Sequence, residues 1–154
     1  MIVINNQEEM QKYYDDERNT YKFNSNVKFN CDIDVKANIF AQNIKANNIK
    51  AYDITALDIK AENIKALDIN SWDIKACDIK ACCIYAYDIN ACDINAFNIK
   101  ALDINAGNIK ANKISFNAVC FAYKTFVCNA IIGRRENSKY FCLDSDVVIK
   151  NKKS

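Results

Sequence analysis

The chain has 154 residues, a net charge of +2, no histidine, no proline and two glycines. This length suits a single domain with a real core, and the near-neutral balance points neither to a nucleic-acid binder nor to an acidic mimic of one. Without histidine the commonest general base and metal ligand are missing, and no run of eighteen apolar residues could span a membrane as a helix.

Met1 to Ile4 reads as a short strand. Asn6, with Glu9 three residues later, has the spacing of a helix-capping box. Met10, Tyr13 and Tyr14 supply an apolar face for a helix of about twelve residues. Its expected task is to cover the open end of whatever follows. From Tyr21 to Ile39 apolar residues alternate with polar ones (Val27, Phe29, Cys31, Ile33, Val35, Ala37), the mark of a strand with one buried face.

From Ile39 to Ile114 sixteen isoleucines recur every five residues without a miss. Alanine follows two places after each from Ala41 to Ala111, with Ser71 the one exception, and the fifth place is Asp or Asn except at Cys83 and Lys113. A period of five fits neither a helix, in which successive isoleucines would migrate to opposite sides, nor a flat strand, in which side chains alternate with period two. The chain must bend once per repeat. We expect a strand of Ile-x-Ala with isoleucine and alanine inward, then a two-residue corner whose second place is the Asp or Asn, residue types that tolerate left-handed backbone.

This repeat resembles the pentapeptide-repeat family, whose usual motif is a small residue, Asp or Asn, Leu or Phe, then two variable residues. The resemblance implies a right-handed, four-sided β-solenoid with four repeats in each twenty-residue coil, and therefore about four regular coils here. It also implies a bacterial source. One departure is evident: isoleucine precedes alanine, so the two inward layers should be exchanged. Some members of the family mimic DNA and bind topoisomerases. That role calls for a strongly acidic rod, whereas residues 39–115 hold nine lysines against nine Asp plus Glu.

Beyond Ile114 the frame breaks. Phe116 takes an alanine place, alternation continues through Val119, Phe121, Tyr123, Phe126 and Cys128, and Gly133 to Asn137 reads as a turn or short helix. Tyr140–Leu143 and Val147–Ile149 read as closing strands, and Lys150–Ser154 as a basic tail. The chain is thus expected to be one all-β domain: an N-terminal cap over 1–26 with a short helix, a β-solenoid over 27–115, and a C-terminal cap with tail over 116–154. The start of the chain lacks the basic, then apolar, pattern of an export signal. A cytoplasmic location and free thiols are therefore expected for the eight cysteines, whose spacing is not that of a zinc site.

Function, if legible anywhere, lies in the outward places. Stacking residues twenty apart puts Lys60, Lys80 and Lys100 in one ladder, with Leu57, Cys77 and Phe97 just before them. Tyr52 then lies under Trp72 and Cys92, and Leu67 under Tyr87. These ladders are the expected interaction surface, set against the plainer reading that outward residues only support their neighbours. Arg134 and Arg135 form a further basic pair. No Gly-rich phosphate loop or nucleophile elbow occurs. No catalysis, cofactor, metal, nucleic acid or membrane is expected. The expected partner is another protein, or a second copy through an end cap or an apolar column.

Overall fold

A computed structural model describes residues 1–150. Its strands join into one sheet that winds round the molecule, accompanied among the described residues by a single 3-10 helix, Gln7–Tyr13. The fold is a β-solenoid of about eight stacked turns. All sixteen repeat isoleucines point inward, none more than 2% exposed. The alanines line the same interior, and Ser71, in an alanine place, is buried because its Oγ donates to the Leu57 carbonyl at 2.7 Å. Lys150 closes the described part, so the remainder of the expected basic tail lies outside it.

The coil itself differs from the expected square. Ile44 pairs with Ile59, Ile59 with Ile74, Ile74 with Ile89 and Ile89 with Ile104, each fifteen residues on. A turn therefore takes three repeats rather than four, and the rod is three-sided. The reason is interior volume. Isoleucine branches at Cβ and carries its bulk close to the strand, whereas leucine and phenylalanine of the usual motif carry theirs farther out; four isoleucines around a square would leave a void on the axis, and three close upon one another.

Turn length tracks interior size elsewhere too. Around the buried rings of Phe23 and Phe29 the spacing is eighteen residues (Thr20 to Asn38), then seventeen (Val27 to Ile44). It tightens to sixteen (Ile33 to Ile49) and fifteen (Ile39 to Ile54) as isoleucine takes over. At the other end it opens again, to seventeen where Phe126 stacks on Ile109.

The phase of the strand is also corrected. The straight segments are Asn43–Lys45, Asn48–Lys50, Asp53–Thr55 and Asp58–Lys60. The Asp or Asn opens the strand, isoleucine sits at its centre, and alanine with the next residue makes the corner. Left-handed backbone is not needed there: among the described non-glycine residues only Asn19 has positive φ, at 46°. Asp and Asn instead form ladders. Asn63 Nδ2 donates to Asn48 Oδ1 at 2.6 Å, and Asn48 Nδ2 to Asp32 Oδ1 at 2.9 Å. Each such bond satisfies a polar side chain whose own strand offers it no partner.

Both ends are covered. Asn6 caps the helix as expected, its Oδ1 accepting from the Glu9 amide, while Glu9 Oε2 accepts from the Asn5 amide. The helix is shorter and tighter than expected. It buries Met10 completely, and Gln7 Nε2 donates at 2.6 Å to the Asp34 carbonyl on an otherwise open strand edge. At the far end Phe116 and Phe126 plug the interior, with the Tyr140 ring 6.4 Å from each. Lys139–Cys142 and Val147–Ile149 pair above Val119–Gly133.

Candidate interaction face

Three columns define three faces. Face A carries Ile39, Ile54, Ile69, Ile84, Ile99 and Ile114; face B runs from Ile44 to Ile104; face C runs from Ile49 to Ile109. The corner residue after each strand forms an edge. Edge AB stacks Leu57, Trp72, Tyr87 and Leu102, each amide donating to the carbonyl of the residue below at 2.6–2.9 Å. Edge CA stacks Tyr52, Leu67, Cys82 and Phe97, and edge BC stacks Glu62, Cys77, Cys92 and Gly107.

This register breaks up the ladders expected at a spacing of twenty. Lys60, Lys80 and Lys100 fall on faces B, C and A respectively. Leu57, Cys77 and Phe97 lie on three different edges. Tyr52 and Trp72 are separated by the width of face A, and so are Leu67 and Tyr87. Cys77 and Cys92, expected on different sides, share one edge. What the register brings together is more orderly. Trp72 and Tyr87, which are 61% and 56% exposed, meet edge to face with ring centroids 5.7 Å apart. Their edge and edge CA, with Tyr52, Leu67 and Phe97 all exposed, border the same face.

Face A is also poor in charge. Its outward side chains include Phe40, Thr55, Asn70 and Tyr85, and its repeat lysines are Lys100 and Lys113. The other faces carry the remaining repeat lysines: Lys45, Lys60 and Lys75 on face B, and Lys50, Lys65, Lys80 and Lys110 on face C. These project into solvent beside Asp and Asn ladders. Among the described residues the ion pairs are Lys50 to Asp34 at 2.8 Å and Arg18 to Asp15 at 3.9 Å. Arg134 instead donates to the Ala101 carbonyl at 3.5 Å, tying the turn after Gly133 to the side of the rod.

Sequence reasoning missed Tyr85 and Leu102 as members of the face, and a second, partly exposed aromatic cluster in the C-terminal cap. There Phe121 lies 4.5 Å from Tyr123 and 4.7 Å from Phe141, ring centre to ring centre. The alternation of Phe121 with Tyr123 was the available signal.

Face B stacks Asp58, Asp73, Asp88 and Asp103 in register. Partial burial, then the charges of Asp103 and Asp73, raise the Asp88 carboxyl above its ordinary pKa. The folded state therefore holds that proton more tightly than the unfolded chain. Stability from this group is present below the ordinary carboxylate pKa and falls as pH rises through the raised one. Asp88→Asn should stabilise the protein at neutral pH by roughly 0.5 kcal/mol, after allowance for solvent screening, and change little near pH 3. Urea melts at the two pH values check this, and a loss of stability at neutral pH would contradict it.

On edge BC, Cys77 and Cys92 stack between the pairs Ala76–Ala91 and Asp78–Asp93. Contact with Cys92 is the main cause that raises the Cys77 thiol, followed by burial. Cys120 and Cys128 are buried in the C-terminal plug, where desolvation pushes both thiols up. No cluster of three or more potential metal ligands occurs among the described residues.

No protein-family description matches the chain, no curated protein does, and no solved structure does.

Proposed function

We propose that the protein is a non-catalytic interaction module, a stiff rod that presents face A to a protein partner. The observation that carries this reading is the sorting of side chains by register. Two exposed apolar edges flank one lysine-poor face, while seven of the nine repeat lysines stand on the other two faces. Aromatic residues on a rim of low charge are what protein contacts use, and a β-solenoid offers them on a backbone that does not need to be ordered at binding. Kinship with pentapeptide-repeat proteins belongs to this reading, supported by the period of five and the Asp or Asn before every repeat isoleucine but Ile84 and Ile114. Three repeats per turn would make this chain a distinct variant. A cytoplasmic setting fits the three exposed thiols Cys77, Cys82 and Cys92. DNA mimicry finds no support, because on face B lysines stand two residues from the aspartates at Asp58 and Asp73.

The test compares proteins retained from a host extract by the wild-type chain, by Trp72→Ser/Phe97→Ser and by Lys65→Ser/Lys80→Ser. Partners kept by the lysine variant and lost by the aromatic one support face A. Identical recovery by the wild-type chain and both variants rejects it.

A further inference from the structure

Resting on that reading, we infer that face A pairs with face A of a second copy, the two rods lying antiparallel about a two-fold axis at the turn of Ile84. The observation is a mirror order along the rod. Take the axis across the rod, parallel to the strands and midway between the two faces. Each turn below Ile84 then meets the turn equally far above it in the partner.

In the first outward column Asp53 meets Lys113 of the second copy, and Asp68 meets Asn98 with Lys100 diagonal to it. In the second column Phe40 meets Ile132, Thr55 meets Ser115, and Tyr85 meets its own counterpart. On the edges Trp72 meets Leu102 and Leu67 meets Phe97. At these positions apolar side chains face apolar ones, hydroxyl faces hydroxyl and acid faces base; farther from the axis Leu57 meets Asn117 and Tyr52 meets Asn112. An isologous contact requires this self-complementarity.

The parallel alternative, with the axis along the rod, keeps each turn at its own height. It lays the acidic half on the acidic half and the basic half on the basic half: Asp53 faces Thr55 with the second copy's Asp53 diagonal to it, and Lys113 faces Ser115 with Lys113 diagonal, which repels at both ends. The acidic half and the basic half of face A therefore select the antiparallel pair. Neither of the other faces has such an order. Face B carries Asp58, Asp73, Asp88 and Asp103 throughout, and inverting it sets aspartate against aspartate.

The size of the face sets the expected strength. Seven turns from Phe40 to Ile132 cover about 30 Å along the rod, and five residues across cover about 16 Å. That gives roughly 500 Å² per partner, at the low end for a specific interface. A reversible dimer forming at tens of micromolar protein is expected.

Sedimentation velocity from about 1 to 300 micromolar tests this, with emission from Trp72, the single tryptophan, followed in parallel. The expected result is a concentration-dependent dimer with a blue shift of the emission, weakened by salt. Asp53→Lys and Lys113→Asp should each weaken it by roughly tenfold, and the two together should restore it, because the swapped charges meet again. With Cys31, Cys77, Cys83, Cys92 and Cys142 changed to serine, a short bis-maleimide should join two copies through Cys82, which is exposed and lies on edge CA at the level of the axis. Circular dichroism confirms that each variant keeps its β-structure.

A monomer throughout the range overturns the inference while leaving the partner test above to judge face A on its own. A dimer indifferent to both single charge changes, or one not linked through Cys82, overturns the geometry.

Discussion

Replacing Ile79 with alanine is expected to lower the free energy of unfolding by about 3 kcal/mol. Ile79 is 2% exposed and stacks between Ile64 and Ile94 on face C. The substitution removes buried hydrocarbon and leaves a cavity in an interior that only three isoleucines per turn close. Neighbouring turns cannot move in to fill it, since their height is fixed by the strand ladder on all three sides. Ile79→Asp goes further: an unpaired carboxylate on the axis should abolish the cooperative transition. Lys80→Ala, one residue away but solvent-facing, should change stability by no more than about 0.5 kcal/mol. Urea denaturation followed by circular dichroism measures all three. Because each turn touches only its neighbours, hydrogen exchange in Ile79→Ala should accelerate most in the turns that hold Ile64, Ile79 and Ile94. A uniform small effect at Ile79 and Lys80 would contradict an isoleucine-filled axis.

Removal of residues 1–13 should make the rod associate end to end. The segment takes away Met10, which has no exposure, the side chain of Gln7 on the Asp34 carbonyl, and the strand Ile2–Ile4 paired with Val27–Phe29. It also uncovers the Phe23 ring, whose neighbours include Tyr13 at 4.8 Å. Met10 alone is worth about 2–5 kcal/mol as a buried side chain. Beyond that loss, the first turn would present unpaired amides and carbonyls beside exposed aromatic rings, a template for end-to-end pairing. Light scattering should report large species growing with concentration. A monomer with an unchanged melting temperature would mean that the helix is an ornament rather than a cap.

Much of the fold can be read from the amino acids. A period of five that returns an aliphatic residue to one side demands a bending strand, and all sixteen isoleucines are buried as that argument requires. The Asn6–Glu9 cap follows from side-chain chemistry within four residues and is present. The number of sides is a different matter. A five-residue repeat closes equally well after three or four units, and what decides is where along its length the inward side chain carries its bulk. Isoleucine in place of leucine or phenylalanine was the available signal, and the wider turns around Phe23, Phe29 and Phe126 show the same rule.

The phase error has a similar origin. Isoleucine and alanine face inward whether the strand is Ile-x-Ala or Asp-Ile-x, so alternation could not separate the two. The outward ladders depended entirely on the coil period. Tyr52, Leu57, Trp72, Tyr87 and Phe97 were recognisable as exposed aromatic and aliphatic residues, but their grouping around face A appears only with partners fifteen apart. Lys60 and Lys80 belong to the solvated faces.

Cys77 and Cys92 provide the most direct measurement of three repeats per turn. With Cys31, Cys82, Cys83 and Cys142 changed to serine, and Cys120 and Cys128 buried, dibromobimane can reach only this pair. It fluoresces when one molecule joins two thiols a few ångströms apart. Residues stacked in adjacent turns are about 4.8 Å apart along the rod, so a fluorescent monomer with the Cys77 and Cys92 peptides joined is the result expected of a fifteen-residue turn. A twenty-residue turn would put the two thiols on different sides, and separate single adducts on Cys77 and Cys92 without fluorescence would contradict the three-sided rod.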